Sequence, residues 1–199
     1  MNLPNLLTAL RIALIPVLVI AFYLPFSWTP MACAAIFALA ALTDWADGYL
    51  ARRLAQVSSF GAFLDPVADK LMVAITLVLL VQGDPRAWVA IPAAIIIGRE
   101  IVVSALRELM AELGERTTVA VASIGKVKTA VQMVALLLML YRQDYGAVPI
   151  YEIGIVLLYV AVGLTLWSMF AYLQAAWSVI RDKKIADSDS KDPDTGLDG

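Results

Sequence analysis

Residues 31–80 have the sequence MACAAIFALAALTDWADGYLARRLAQVSSFGAFLDPVADKLMVAITLVLL, in which two apolar runs flank a more polar segment. That segment contains four aspartates, namely Asp44, Asp47, Asp65 and Asp69. Side chains three or four residues apart share one face of a helix. The first pair is therefore predicted at the end of one helix and the second pair at the start of the next. A short connection makes the two helices antiparallel neighbours, so four carboxylates are expected to converge on one small volume.

The remainder of the chain is equally apolar. Of its 199 residues 61% are hydrophobic and 16% are charged, and the mean hydropathy is +0.81. Soluble domains are only about 45–50% apolar. Apolar runs of about 20 residues, enough to cross a hydrocarbon core of roughly 30 Å, recur along the chain. The sequence therefore predicts an all-α, polytopic membrane protein and excludes a water-soluble fold.

Proline, glycine and charged residues divide the chain into a bundle of about six transmembrane helices. The predicted helices are 4–24, 31–51, 62–81, 86–110, 118–141 and 150–180. Residues 1–182 are predicted to form one membrane-embedded domain, and 183–199 an acidic, disordered tail. The first apolar segment has little basic leader and no small-residue cleavage site after it, so it is interpreted as a retained helix.

The distribution of basic residues orients the bundle. Most lie on one predicted side, and this side holds Arg52, Arg53, Arg107, Arg116, Arg181, Lys183 and Lys184, whereas Arg86 and Arg142 lie on the other. Positive charge marks the cytoplasmic side of a membrane protein. The aspartates are therefore expected to face the cytoplasm, and an even number of spans places both termini there as well.

The residue types present also limit the chemistry. The chain has no histidine and one cysteine, Cys33, which excludes an intramolecular disulfide and histidine bases. An ionised side chain within a bilayer costs about 2.5–3.5 kcal/mol, so the aspartates require cations. Lys70 and Arg52 can offset part of the charge, but carboxylate oxygens suit Mg²⁺ or Mn²⁺, and two divalent ions would balance four carboxylates. Paired metals clamp the attacking and leaving oxygens of a phosphoryl transfer.

The residues between the aspartate pairs fit a phosphate-bearing ligand. Gly48 has no Cβ and lets a ligand approach the backbone, and Ala51 leaves space beside it. Arg52 offers a planar fork to a diphosphate. Gly61 and Ala62 are equally explained by close helix packing.

The pattern Asp44-x2-Asp47-Gly48-x2-Ala51-Arg52-x8-Gly61-x3-Asp65-x3-Asp69 matches, at every fixed position, the signature of the CDP-alcohol phosphatidyltransferases. The chain therefore resembles that family, over about residues 1–180. Further segments are similar to its bacterial branch that makes phosphatidylglycerophosphate. They are Leu3-Pro4-Asn5-Leu6-Leu7-Thr8 with Arg11, Gly98-Arg99-Glu100, Ser104-Ala105-Leu106-Arg107-Glu108 and Gly125-Lys126-Val127-Lys128-Thr129.

The resemblance implies transfer of a phosphatidyl group from CDP-diacylglycerol to glycerol 3-phosphate, by a homodimer in the bacterial inner membrane that binds no nucleic acid. It implies that Asp44, Asp47 and Asp65 are shared metal ligands, and that Asp69 contacts the second metal and acts as the general base. The implied CDP-lipid contacts are Asn5, Thr8, Gly48, Arg52 and Ser58. The implied contacts to the acceptor are Arg99, Arg107, Lys126 and Lys128.

Simpler explanations stay open for several of these residues. Asn5, Thr8 and Asp65, the last followed by Pro66, also fit helix caps. Arg99 and Glu100 also fit a buried structural ion pair. The two lysines, Lys126 and Lys128, also fit charges that only orient the protein.

Other functions also remain open. A cation transporter carries intramembrane carboxylates too, but would spread them through the bilayer depth. Within the family, a different acceptor would make the protein a phosphatidylserine or cardiolipin synthase.

Overall fold

The structure, a computed structural model, describes residues 3–54, 59–112, 122–144 and 146–189. The side chains of 3–5, 47–54, 59–63, 107 and 122–126, and of parts of 171–189, are not described. The described residues form six α-helices: α1 (Leu3–Phe22), α2 (Thr29–Leu54), α3 (Ser59–Gly83), α4 (Ala87–Glu112), α5 (Ala122–Tyr141) and α6 (Ile150–Asp189). The predicted all-α fold is confirmed.

Local interactions set the helix ends between α1 and α2 and between α5 and α6. The Thr29 hydroxyl, at the first residue of α2, donates a 2.8 Å hydrogen bond to the carbonyl of Leu24. Helix α5 stops at Tyr141 because Arg142 takes a left-handed conformation, with φ of 55°, in which a helix cannot continue. The first amide of α6, from Ile150, donates to the carboxylate of Asp144 at 3.2 Å.

Most helix bounds differ from the sequence predictions by a few residues, and two of the differences change an interpretation. Helix α3 begins at Ser59, so Asp65 and Pro66 lie inside the helix and Asp65 is not its N-cap. Helix α6 continues to Asp189, so residues 183–189 are helical where composition predicted disorder. Polarity prevents burial of this segment in a core, but its lysines and alanine have good helix propensity and extend an existing helix. Residues 190–199 lie outside the described part of the chain.

Each helix contributes apolar side chains to a common core. The largest that are fully buried include Leu18, Phe37, Leu77, Leu80, Ile96, Leu136, Met139 and Leu158. Helix α1 packs against both α2 and α3, α4 packs against α3 and α6, and α5 packs against α2 and α6. Within the described residues α2 and α3 make little direct contact, so α1 lies between the two helices that carry the aspartates.

The outer surface of the bundle is apolar. Large hydrophobic side chains such as Ile20, Trp45, Ile101 and Trp167 are more than 60% exposed, whereas a soluble monomer rarely exposes large contiguous apolar surface. By length and composition, Thr29–Ala46, Ala87–Glu112 and Ile150–Phe170 can cross a membrane. The protein is therefore a polytopic membrane protein.

Candidate active site

Three of the four aspartates converge in the structure. Asp44 on α2 and Asp65 and Asp69 on α3 each place one carboxylate oxygen within 4.8 Å of the others. Asp65 and Asp69 are one turn apart on the same helix face, as their spacing predicted. Asp47 is on α2, one turn after Asp44, but its side chain lies outside those the structure describes.

Arg11 of α1 lies among these three carboxylates. Its Nη1 is 3.3 Å from Asp44 Oδ1 and 3.0 Å from Asp65 Oδ1, and it also donates a hydrogen bond to Asp69 Oδ1. The Arg11 side chain is only 1% exposed, whereas the aspartates are 35–37% exposed. The guanidinium therefore supports the cluster from inside the bundle, and the carboxylates remain reachable from outside it.

Sequence reasoning included Arg11 in a motif but gave it no role. A signal was present, because Arg11 is the only charged residue in the sequence of α1, and a charge in an apolar helix requires a partner. Sequence reasoning assigned part of the charge compensation to Lys70 and Arg52 instead. Among the described residues, the cation that pairs with these aspartates is Arg11.

The donor atoms of the cluster fit a hard divalent cation. All are carboxylate oxygens, which Mg²⁺ and Mn²⁺ prefer over softer ligands. Two oxygens bound to one Mg²⁺ at about 2.0–2.1 Å lie at most roughly 4.2 Å apart. The oxygens of Asp44, Asp65 and Asp69 lie within 4.8 Å of one another, so small side-chain shifts would bring them onto one ion.

Thr8 is the one predicted CDP-lipid contact whose side chain the structure describes. It is 2% exposed and lies one turn before Arg11 on α1, well inside the helix, so it is not a helix cap. Asn5, Gly48 and Arg52 are on described helices, but their side chains are not described, and Ser58 lies outside the described residues.

A second polar cluster joins α4 and α5. Arg99 Nη2 forms an ion pair with Glu100 Oε1 at 2.8 Å, and Lys128 Nζ is 3.9 Å from the same oxygen. Both cations are buried, with 7% exposure. The ion pair that the sequence allowed for Arg99 and Glu100 is therefore present, and it includes Lys128. The other two predicted acceptor contacts, Arg107 and Lys126, have side chains outside the described set.

Lys70, the residue after Asp69, connects α3 to this second cluster. Its Nζ donates to the Ser104 hydroxyl at 2.6 Å. Ser104 in turn donates to the backbone carbonyl of Glu100, one turn earlier on α4, at 2.5 Å. The sequence suggested only an ion pair with Arg99 for Glu100 and no role for Ser104, because the contact of Ser104 to Lys70 depends on how α3 packs against α4.

Comparison with known proteins identifies the family. Residues 1–167 match the CDP-alcohol phosphatidyltransferase family, a span that includes the aspartates, Arg11 and the second polar cluster. The chain belongs to this family. The resemblance inferred from the aspartate spacing is thus confirmed, and in this CDP-alcohol phosphatidyltransferase three of the four signature aspartates, Asp44, Asp65 and Asp69, meet around Arg11.

Individual relatives cover most of the chain. A protein of Yersinia pestis (strain Pestoides F) is 56% identical over 178 residues, which are 89% of this chain and 96% of the relative. Proteins of Sodalis glossinidius and Pectobacterium atrosepticum are each 57% identical, over 88% of this chain and 95% and 94% of their own lengths. All three are named CDP-diacylglycerol–glycerol-3-phosphate 3-phosphatidyltransferase.

Proposed function

We propose that this chain transfers the phosphatidyl group of CDP-diacylglycerol to glycerol 3-phosphate, giving phosphatidylglycerophosphate and CMP. The observation that carries the proposal is the meeting of Asp44, Asp65 and Asp69 in a member of the CDP-alcohol phosphatidyltransferase family. The names of relatives that are 56–57% identical support glycerol 3-phosphate as the acceptor.

The aspartate cluster provides the chemistry of the transfer. Two Mg²⁺ or Mn²⁺ ions, held by Asp44, Asp47, Asp65 and Asp69, would neutralise the charge that develops on the departing CMP. The acceptor hydroxyl must lose its proton as it attacks the lipid-linked phosphorus. Asp69 takes that proton, since the chain has no histidine and this carboxylate lies in the cluster. One P–O bond forms to the acceptor as the P–O bond to CMP breaks.

The two substrates approach the aspartates from different helices. Asn5, Thr8, Gly48, Arg52 and Ser58, from α1, α2 and the α2–α3 connection, hold the cytidine diphosphate group. Arg99, Arg107, Lys126 and Lys128, from α4 and α5, hold the phosphate of glycerol 3-phosphate. Buried cations suit a dianionic acceptor because charge-assisted hydrogen bonds are stronger than neutral ones.

The cellular setting follows from the charge distribution and the lipid substrate. The enzyme is a multi-pass protein of the bacterial inner membrane, with its active site and both termini facing the cytoplasm, where basic residues concentrate. It acts as a homodimer.

A substrate panel tests the proposed reaction. Purified protein in detergent or lipid vesicles is supplied with CDP-diacylglycerol and, separately, glycerol 3-phosphate, serine, inositol or phosphatidylglycerol, and CMP release is measured. With glycerol 3-phosphate as the acceptor, the wild type should turn over at least about 10²-fold faster than the Asp69→Asn variant. This factor is the lower range for loss of a general base. Faster CMP release with serine or phosphatidylglycerol would reassign the acceptor. No CMP release with any alcohol would contradict the transferase function.

A further inference from the structure

Five residues, joined partly through the backbone, link the segment of α3 that carries Asp69 to the basic cluster. Lys70, next to Asp69, contacts Ser104 at 2.6 Å, and Ser104 contacts the carbonyl of Glu100 at 2.5 Å. The Glu100 carboxylate then contacts Arg99 at 2.8 Å and lies 3.9 Å from Lys128. The path crosses from α3 to α4 to α5.

The Glu100 carboxylate controls the geometry of two buried cations. Arg99 and Lys128 carry like charges and repel each other, and their burial strengthens that repulsion because water screens it less. Glu100 Oε1 lies 2.8 Å from Arg99 Nη2 and 3.9 Å from Lys128 Nζ, so one carboxylate oxygen pairs with both cations. One negative charge between two positive charges leaves a net positive charge, so the cluster can still attract a phosphate.

Ser104 fixes where this cluster lies relative to the aspartates. Its hydroxyl donates within α4 to the turn that carries Glu100, and accepts from Lys70 on α3. Lys70 directly follows Asp69 in the sequence. A change in this contact would shift α4 relative to the residue that takes the proton.

We propose that Glu100 and Ser104 are positioning residues for the acceptor, a role that rests on the proposed function. Glu100 orients Arg99 and Lys128 for the acceptor phosphate. Ser104, through Lys70, sets the distance between that phosphate and Asp69. The two residues therefore affect different kinetic constants, because one governs phosphate binding and the other governs alignment of the bound hydroxyl for reaction.

The test uses Glu100→Gln, which keeps the side-chain shape and removes its charge. The KM for glycerol 3-phosphate should rise about tenfold or more, the size expected when a charge-assisted contact is lost. The KM for CDP-diacylglycerol should change less than about twofold, because the substitution leaves the binding of that substrate unaffected. Without CDP-lipid, glycerol 3-phosphate should raise the thermal midpoint of the wild type. The same addition should not raise the midpoint of Glu100→Gln. Glu112→Gln, at an exposed acid of the same helix, is the matched control and should behave as the wild type.

Ser104→Ala separates the second role. It should lower kcat about tenfold with little change in the KM for glycerol 3-phosphate, since misalignment of bound reactants mainly slows the chemical step. Equal losses for both substrates, together with a lower thermal midpoint, would make the cluster purely structural and overturn the proposal. Unchanged constants in both variants would also overturn it. If the wild type released no CMP with glycerol 3-phosphate, the proposed function itself would fail, and this role with it.

Discussion

Tyr151, near the start of α6, donates a 2.8 Å hydrogen bond to the carboxylate of Asp84, which lies between α3 and α4. Arg86 donates to the same carboxylate from Nε and Nη2, each at 2.5 Å. Asp84 is buried, with 6% exposure. These contacts fasten the α3–α4 turn to α6. Since α3 rises about 1.5 Å per residue, the fastening lies roughly 20 Å from Asp69, at the other end of the bundle.

The hydrogen bond between Tyr151 and Asp84 should be measurable as a coupling energy. The variants Tyr151→Phe, Asp84→Asn and their combination form a double-mutant cycle, read by unfolding in detergent micelles. We expect a coupling of about 1.5–3 kcal/mol, the range for a hydrogen bond to a charged group. Tyr159→Phe, at an exposed tyrosine of α6, is the control and should leave stability unchanged. Additive effects of the two substitutions would contradict this assignment.

The same carboxylate predicts a pH dependence of stability. Hydrogen bonds from Arg86, and then from Tyr151, hold the pKa of Asp84 well below its ordinary value, although burial opposes them. A carboxylate with a lowered folded pKa stabilises the fold above its unfolded pKa of about 3.9, and this stabilisation is lost as the pH falls through the folded pKa. The thermal midpoint of the wild type should therefore exceed that of Asp84→Asn by a constant amount from pH 7 to about pH 5, and the gap should begin to narrow below about pH 4. A gap that is independent of pH down to pH 3 would rule out this origin.

Gly154 permits a close approach of α6 to α5. A Cβ at this position would lie 2.7 Å from Met139 Cγ and 3.1 Å from the backbone oxygen of Ala135. Gly154→Ala should therefore destabilise the protein by about 1–3 kcal/mol, the usual cost of overpacking. Gly163→Ala is the matched control on the same helix, since nothing lies within 4 Å of its Cβ position. Thermal unfolding of the two variants tests this prediction, because Gly154→Ala should have the lower midpoint. Equal midpoints would show that α5 and α6 can move apart at little cost in free energy.

The parts of this site that the sequence predicted are those encoded by spacing within one helix. Asp65 and Asp69 had to share a face of α3, and Asp44 had to lie near the end of the preceding apolar run. The partner of Arg11 could not be predicted in this way. Its contacts join residues that are 54 and 58 positions apart, and they depend on α1 packing between α2 and α3.

The fold shows the same division. Apolar runs and turn residues located the helices that the described part of the chain contains, because burial and turn chemistry are local properties of a sequence. The extension of α6 to Asp189 was not predicted, since composition reports the capacity to form a core and not the tendency of a helix to continue. The association of Glu100 with Lys128 was likewise outside local reasoning, because the two residues lie on different helices.

Metal removal should abolish the proposed activity. Exhaustive chelation is expected to stop CMP release, and Mg²⁺ or Mn²⁺ should restore it. Ca²⁺ should restore it poorly, because its longer and looser coordination would misplace the reacting oxygens. Elemental analysis of the chelated protein is the control that establishes metal removal. Full activity in a preparation shown to contain no divalent metal would exclude the metal-dependent mechanism.

The proposed divalent ion would neutralise the same carboxylates that Arg11 contacts, and this shared role gives the last prediction. The Arg11 guanidinium contacts Asp44, Asp65 and Asp69, and its side chain is fully buried. Arg11→Met replaces arginine by an unbranched apolar side chain without the charge. Three neighbouring carboxylates therefore lose their common counter-ion. Removal of one partner from such an ion pair typically costs about 3–5 kcal/mol when the site is fully buried. Because these aspartates are partly exposed, we expect a smaller loss of stability.

Magnesium distinguishes this effect from a loss of packing. In Arg11→Met, Mg²⁺ should raise the thermal midpoint by more than it does in the wild type, because the ion replaces the missing positive charge. Arg11→Lys keeps the charge and should stay close to the wild type. Arg86→Met is the matched control, since Arg86 pairs with Asp84 at the other end of the bundle. It should lower the midpoint without changing the magnesium increment. Equal increments in Arg11→Met and Arg86→Met would show that Arg11 stabilises the helices by packing and has no part in the charge balance of the aspartate cluster.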